Sequence, residues 1–195
     1  MKEKVLIGAG GFAREIMADI GKPIKCFVND VYLKEGLYKL SELDSNKHSV
    51  LVAIGDPIKR KLIVDALPSD IEYWNHVSTN AIVLDSLNYF GKGSIICAGS
   101  VLTTNIHIGN HVHININCSI GHDCIISDFV TVSPGVNISG NVFIDENVYI
   151  GTNSAIRERI TVKSDVIIGL NGGVVKDIDS SGLYVGTPVI KKPNQ

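Results

Sequence analysis

The sequence predicts a parallel β-helix preceded by a small α/β unit, and three observations support this fold class. Every sixth residue from Leu84 to Val174 is a large apolar side chain, which gives sixteen consecutive matches. A second column, two positions before the first, is also mostly apolar or cysteine. The first 75 residues lack this period and alternate strand and helix patterns instead. A period of six fits neither an ordinary strand nor a helix and is typical of hexapeptide-repeat β-helices.

The first 75 residues are interpreted as a βαβαβ unit with a parallel sheet, joined by right-handed crossovers. Short apolar runs predict strands over 4–8, 24–28, 50–54 and 71–74. Amphipathic patterns predict helices over 12–20 and 58–67. Residues 76–83 bridge to the repeat. We therefore expect two domains, 1–75 and 76–195.

The repeat predicts a triangular prism in which three hexads, or ~18 residues, make one coil, so that the series spans about five coils. The two apolar columns should face inward, and the position after each large apolar residue is often glycine or serine, as at Gly91, Gly109 and Ser133. Flat prism faces favour association into a closed symmetric oligomer.

Composition narrows the function classes. The chain has 195 residues, a formal net charge of −2 and 45% hydrophobic residues, so no general attraction to nucleic acid or anionic membrane is expected. It contains no apolar run approaching the ~20 residues that span a bilayer. Its first residues do not resemble a signal peptide, which favours a cytoplasmic protein. The four cysteines lack zinc-site spacing and should be reduced, with Cys118 and Cys124 packed inside.

The segment 117–124 contains the strongest candidate for catalysis. His122 follows the inward-facing Ile120 by two positions, which predicts an exposed place at a prism corner. A neutral imidazole there can accept a proton from an amine or a hydroxyl near physiological pH. Asp123 could raise its basicity and fix its tautomer. Alternatively, His122 is only a polar residue in a turn.

Three further histidines raise the question of a metal site. His107, His111 and His113 lie on one coil, but the six-residue spacing of His107 and His113 predicts that they point from different faces. Zinc needs ligands that converge at ~2 Å. We therefore expect surface or interface histidines and no metal.

The glycine-rich start allows two interpretations. Gly8, Gly10 and Ala13 open a helix after a strand, and Asp30 lies 20 residues beyond Gly10, as in a Rossmann-like dinucleotide fingerprint. Backbone N–H groups at a helix N-terminus bind phosphate in either case. A complete dinucleotide fold needs a second half, which the chain replaces with hexads. A nucleotide-linked sugar is therefore the favoured ligand, and a purely structural glycine turn is the alternative.

Several motifs together resemble the hexapeptide-repeat sugar acetyltransferases of the sialic acid O-acetyltransferase and bacillosamine-type N-acetyltransferase family. They are the segments 8–12 (GAGGF), 53–56 (AIGD), 120–124 (IGHDC), 133–135 (SPG), 139–142 (SGNV) and 186–188 (GTP), which cover nearly the whole chain. The resemblance implies a left-handed β-helix and a homotrimer with active sites between adjacent prisms. It also implies that His122 is the general base and Asp123 its acidic partner.

The resemblance assigns binding roles as well. It places the nucleotide diphosphate of the substrate at Gly10, Gly11, Phe12, Asn29 and Asp30, and we expect Gly55 and Asp56 to line the same cleft. It places acetyl-CoA near Gly140, Thr152 and Leu170. Some family members carry a second histidine nine residues after the base, where it meets the acetyl thioester. Thr131 occupies that position here, and its hydroxyl can donate one hydrogen bond to a carbonyl.

These features predict an acetyl-CoA-dependent N-acetyltransferase that acts directly on the amine of a nucleotide-linked amino-deoxy sugar, of the UDP- or TDP-4-amino-4,6-dideoxy type, in bacterial surface glycan synthesis. O-acetylation of a sialic acid is the alternative within the enzyme class. A metal-dependent hydratase and a non-catalytic nucleotide-sugar-binding β-helix are alternatives from other classes.

Overall fold

The computed structural model describes residues 1–193 and begins with a five-stranded parallel sheet in the order β3-β2-β1-β4-β5. Its strands are β1 (Glu3–Ile7), β2 (Cys26–Val28), β3 (Tyr38–Lys39), β4 (His48–Val52) and β5 (Glu72–Tyr73), and its helices are α1 (Gly11–Ile20) and α2 (Pro57–Ala66). The prediction missed β3, which extends the sheet beyond β2 with only two residues. Two short 3₁₀ turns, Asp30–Tyr32 and Leu40–Glu42, flank β3.

The two helices begin at the carboxyl ends of strands, as the parallel order requires. Helix α1 starts directly after Gly10 and ends at Ile20, where it is capped by Gly21, whose φ of 76° is left-handed. Helix α2 has Pro57 at its first turn, and the Asp56 side chain accepts from the Lys59 backbone N–H at 3.0 Å. The two N-termini therefore lie at the same edge of the sheet.

The remainder of the chain winds into a prism with three parallel sheets, here called faces 1, 2 and 3. Face 1 contains β6 (His76–Val77), β9 (Ile95–Ile96), β12 (His113–Ile114), β15 (Thr131–Val132), β18 (Tyr149–Ile150), β21 (Val166–Ile168) and β23 (Gly182–Val185), with β24 (Ile190–Lys191) antiparallel at its end. Face 2 contains β7 (Ile82–Val83), β10 (Val101–Leu102), β13 (Ser119–Ile120), β16 (Asn137–Ile138), β19 (Ala155–Ile156) and β22 (Gly173–Val174). Face 3 contains β8 (Tyr89–Phe90), β11 (His107–Ile108), β14 (Ile125–Ile126), β17 (Phe143–Ile144) and β20 (Thr161–Val162). This arrangement of short parallel strands fits a left-handed β-helix.

The prism core consists of the two columns expected from the period of six. From Ile96 to Val174 every large apolar residue of the main column is buried. Cys118 and Cys124 of the second column are buried as well, and all four cysteines are free thiols. The expectation for Leu84 is wrong, because this residue is 67% exposed. β7 instead pairs Val83 with Leu102, a separation of 19 residues, whereas β8 pairs Phe90 with Ile108. One extra residue between β7 and β8 therefore shifts the register of the first coil.

At the corners of the prism, one residue per hexad adopts the left-handed backbone conformation. Asparagine and aspartate occupy most of these positions, which suits the left-handed region. Their side chains also bond along the axis, as where Asn147 Nδ2 donates to Asp165 Oδ1 at 3.1 Å. His111 and Phe129 share this conformation, with φ of 55° and 60°, and their rings stack at 5.1 Å.

The α/β unit packs on face 1 of the prism. His111 and His113 are buried in this contact, where Tyr73 meets the His111 ring and Phe12 meets the His113 ring. His107 lies on face 3, exposed and stacked on Tyr89. On the α1 side of the contact, Asp19 accepts from Ser78 and pairs with His76 Nε2 at 2.7 Å. Within residues 1–193, no helix has the length and apolar character needed to cross a membrane.

Candidate active site

His122 and Asp123 form a hydrogen-bonded pair on an exposed corner of the prism. The corner lies between β13 of face 2 and β14 of face 3, and the His122 side chain is 57% exposed. Its Nδ1 is 2.7 Å from Asp123 Oδ2. Asp123 adopts the left-handed conformation with φ of 60°, which turns its carboxylate toward the preceding imidazole. An ionised carboxylate only accepts, so Nδ1 carries a proton, and in the neutral imidazole the lone pair is on Nε2.

Residues one coil away on either side complete the surroundings of this pair. Asn105 Nδ2 donates to Asp123 Oδ1 at 2.6 Å. This bond, followed by the interaction with His122, lowers the pKa of the Asp123 carboxyl below its ordinary value. On the other side, a Cβ placed on Gly140 would lie 2.5 Å from His122 Nε2. Gly140 therefore leaves room for the imidazole.

A first cavity of about 530 Å³ lies at the carboxyl edge of the parallel sheet. Its lining includes four of the residues expected to hold a nucleotide diphosphate, Gly10, Gly11, Phe12 and Asn29, together with Gly55, which was expected to line the same cleft. Gly8 lies at its base, where φ is +103° and a Cβ would come 3.1 Å from the Ala53 carbonyl oxygen. Asp30 is exposed outside this lining and lies 3.9 Å from Lys39 Nζ.

A second cavity of about 1000 Å³ lies between the α/β unit and face 1. Phe12 and Gly55 line both cavities, so the two adjoin. The second one is also lined by Asp56, Thr131 and Thr152, three of the residues singled out from the sequence. The two cavities thus offer one continuous surface from the glycine turn to the prism wall.

Thr131 has a different role in this structure from the one expected for its hydroxyl. The side chain is buried, and its Oγ1 donates to the Gly55 carbonyl at 2.7 Å. The same oxygen accepts from Arg60 Nη2 at 2.9 Å. Its one proton is thus directed at the protein backbone, which leaves none for a thioester carbonyl in this arrangement.

Arg60 is a buried residue of this region that sequence reasoning missed. It is 0% exposed and extends from α2 into the prism. In the sequence it lies between Lys59 and Lys61 and looks like part of a solvated helix face. Only the packing of α2 on face 1 reveals that it is enclosed.

The predicted catalytic and binding residues divide between different parts of one chain. His122, Asp123 and Gly140 share the corner between faces 2 and 3, whereas Thr152 and Leu170 follow strands of face 1. Leu170 is 70% exposed. Neither cavity has His122 in its lining. A single chain therefore does not bring the base and the cavities together.

The histidines do not assemble into a metal centre in the part of the chain that the structure describes. No group of three or more His, Cys, Asp or Glu side chains there could hold a metal ion. Burial is the main cause that lowers the pKa of His111 to about 4 and that of His113 well below its ordinary value, with the Arg60 charge second. Both are therefore neutral at physiological pH.

Comparison with known proteins finds no matching family model and no matching curated protein. Solved structures do match. WeeI from Acinetobacter baumannii is 27% identical with a TM-score of 0.87, covering 98% of this chain and 100% of that one. The acetyltransferase domain of PglB from Neisseria gonorrhoeae, in complex with acetyl coenzyme A, is 25% identical with a TM-score of 0.86, covering 98% and 99%.

A third structure shows the shared fold alone. It is a mutant perosamine N-acetyltransferase from Caulobacter crescentus in complex with CoA and GDP-perosamine, 24% identical with a TM-score of 0.89, covering 100% of this chain and 98% of that one. The matches extend through both the α/β unit and the prism. The predicted resemblance of this chain to hexapeptide-repeat sugar acetyltransferases is confirmed.

Proposed function

We propose that this protein transfers the acetyl group of acetyl-CoA to the amine of a nucleotide-linked amino-deoxy sugar, with His122 as the general base. The observation that carries the proposal is the exposed His122–Asp123 pair, whose free Nε2 lies above Gly140. The acetyl-CoA bound to the PglB domain supports the choice of donor. The sugar nucleotide bound to the perosamine enzyme supports the choice of acceptor.

The pair favours the tautomer that a general base needs. Asp123 holds the Nδ1 proton, so Nε2 is the basic atom of the neutral ring. Asn105 keeps the carboxylate ionised and oriented through its bond to Oδ1. Positioned general bases contribute roughly 10²–10⁴-fold to a rate.

The first cavity suits a nucleoside diphosphate. The N-terminus of α1 follows Gly10, and the N-terminus of α2 follows Asp56, so unpaired backbone N–H groups of two helices lie at the same edge. We propose that the α/β unit, residues 1–75, is a Rossmann-like nucleotide-binding domain. The sugar of the bound nucleotide-linked substrate then enters the second cavity. Asn29 and Gly55 keep their proposed roles around the nucleotide, whereas Asp56 lies at the second cavity, and Asp30, outside the lining of the first, would reach the nucleotide from its rim.

The division of the site within one chain supports a homotrimer. His122 lies on one corner, and the cavities lie on face 1, so we propose that the corner of one prism meets the cavity of its neighbour. Acetyl-CoA then lies in the groove between prisms, near Gly140 of one chain and Thr131, Thr152 and Leu170 of the other. Three equivalent sites follow from cyclic symmetry.

The reaction needs one proton transfer to His122 and one from it. His122 Nε2 takes a proton from the sugar amine as the amine nitrogen attacks the thioester carbonyl and forms the new C–N bond. The tetrahedral intermediate then releases the CoA sulfur, which receives the proton from the imidazolium. Holding both substrates together supplies much of the rate. No acyl-enzyme forms, and the buried thiols Cys118 and Cys124 take no part.

A thiol-release assay tests the proposal. Purified protein is supplied with acetyl-CoA and a panel of UDP-, TDP- and GDP-linked 4-amino-4,6-dideoxy sugars, with sialic acid included. The proposal expects CoA release with at least one amino sugar, and release with sialic acid alone would favour O-acetylation. Folded protein that binds nucleotides but releases no thiol with any acceptor would support the non-catalytic alternative. The cytoplasmic setting and the role in surface glycan synthesis remain predictions from sequence.

A further inference from the structure

The buried cation of Arg60 contacts Gly55, which lines both cavities. The guanidinium of Arg60 contacts seven acceptors, which are the carbonyl oxygens of Ile54, Gly55, His111, Phe129 and Val130, the Thr131 hydroxyl and His113 Nδ1. The distances from Nη1 to the carbonyl oxygens of Ile54 and Gly55 are 2.6 Å and 3.2 Å, respectively. Because guanidinium nitrogens only donate, His113 Nδ1 accepts, so the ring is neutral with its proton on Nε2.

Among residues 1–193, only uncharged groups hydrogen-bond to the Arg60 guanidinium, and no carboxylate forms an ion pair with it. All seven accepting atoms are uncharged. Burial lowers the pKa of Arg60 to about 9, opposed by the charge of Asp56, so the side chain is protonated at neutral pH. A buried charge without an ionic partner is costly for a fold, and such groups concentrate at functional sites.

Gly55 connects this charge to the cavities. Its carbonyl oxygen accepts from both Arg60 Nη1 and Thr131 Oγ1, and the residue lines both cavities. Two donors on one carbonyl fix the plane of the peptide between Gly55 and Asp56. Because a trans peptide is planar, the Asp56 N–H is held in the opposite direction to that carbonyl.

We infer that Arg60 is a positioning residue that favours the binding of an anionic diphosphate without contacting it. Its guanidinium holds the Gly55 carbonyl in place and puts a positive charge close to the cavities that Gly55 lines. This inference rests on the proposed nucleotide-sugar function. A charge in a water-poor interface projects its field into an adjoining cavity, since it is weakly screened. A dianionic diphosphate therefore gains more from Arg60 than an uncharged nucleoside does.

The test compares nucleosides with their diphosphates by calorimetry. Wild-type protein and Arg60→Met are titrated with UDP, dTDP and GDP and with the parent nucleosides. For each diphosphate that the wild type binds, we expect the variant to raise the Kd about tenfold or more, the change that ~1.4 kcal/mol produces. The Kd of the nucleoside should change less than threefold. Arg60→Lys, which keeps the charge and loses the planar fork, should recover part of the diphosphate affinity.

Two further variants separate positioning from general destabilisation. Asp19→Asn weakens the other polar contact between the α/β unit and the prism, with His76 and Ser78, and should leave diphosphate affinity unchanged. Thr131→Val removes the second donor to the Gly55 carbonyl and should raise the diphosphate Kd about threefold. If Arg60→Met does not fold, Thr131→Val and Arg60→Lys test the positioning role in its place.

Three results would overturn the inference. One is unchanged diphosphate affinity in the folded Arg60 and Thr131 variants, and another is an equal loss for nucleoside and diphosphate, which marks a merely structural role. In both cases wild-type activity still supports the proposed function. Failure of the wild type to bind any of the three diphosphates overturns the inference together with the proposed nucleotide specificity.

Discussion

Gly140 lies one coil beyond His122, against the face of its imidazole. A Cβ at this position would lie 2.5 Å from His122 Nε2 and 2.7 Å from Cε1. The glycine therefore does more than form a turn, because it sets where the basic nitrogen lies.

We expect Gly140→Ala to lower kcat by more than tenfold, because the methyl group displaces the imidazole from its place. The fold should tolerate the change, since the contact is with the end of a side chain. Steady-state thiol release and a thermal melt measure the two effects. At Gly91 the corresponding Cβ would lie 2.4 Å from the backbone carbon of Gly109. Gly91→Ala should therefore lower Tm instead. A Gly140→Ala protein with normal kcat would show that the imidazole position is not critical.

Asn105 should contribute to the rate through Asp123. Asn105→Asp replaces the donor with a second carboxylate, which raises the pKa of Asp123 and moves the acidic limb of the pH–rate profile upward. We expect a loss in kcat of roughly threefold to thirtyfold with little change in KM. Asn153→Gly, at a left-handed corner with φ of 57° away from the pair, is the matched control. An unshifted acidic limb in Asn105→Asp would mean that Asn105 is only part of the corner.

Acid should weaken the packing of the α/β unit on the prism. The folded pKa of His111 is lowered to about 4, mainly by burial, so its contribution to stability is complete above the ordinary value of 6.5 and is lost as the pH falls toward 4. The loss amounts to about 3 kcal/mol for this group, and His113 adds to it in the same direction. Chemical unfolding from pH 7.5 to 4.5 measures it. His111→Asn, which suits the left-handed backbone and does not titrate in this range, should flatten the profile, and an equally steep profile would assign the acid sensitivity to other groups.

Hybrid oligomers test the proposal that the protein is a trimer in which two chains share each site. His122→Ala removes the base, and Gly10→Trp fills the first cavity at a position where a Cβ meets no atom within 4 Å. Each variant alone should be inactive. Subunits that are mixed in equal amounts and reassembled should recover about a quarter of wild-type activity, because random assortment pairs an intact base with an intact neighbouring cavity at that frequency. Complete inactivity of properly reassembled hybrids would place base and cavity in the same chain.

The sequence predicted the repeat well because inward packing imposes the same demand at every hexad. The one-residue shift before β8 escaped notice because Leu84 happens to be apolar, although it is exposed. β3 was not predicted because two residues, Tyr38 and Lys39, are too few to form a strand pattern in the sequence. His122 could be placed on a corner by counting from Ile120, whereas its neighbour Gly140 becomes meaningful only once the coils are stacked.

Arg60 shows the limit of sequence reasoning most clearly. Local composition indicates a solvated helix face, and only the packing of α2 against face 1 buries the side chain. The same contact uses the Thr131 hydroxyl, so its hydrogen bonds could not be assigned from its place in the repeat. Interactions between elements that lie far apart in the chain carry no local signal.

The role of His122 as the general base is tested by the rate of CoA release by His122→Ala in the presence of saturating acetyl-CoA and amino-sugar acceptor. We expect a fall of roughly 10²–10⁴-fold, with CoA affinity and oligomeric state unchanged. A folded variant that releases CoA within threefold of the wild-type rate would contradict it.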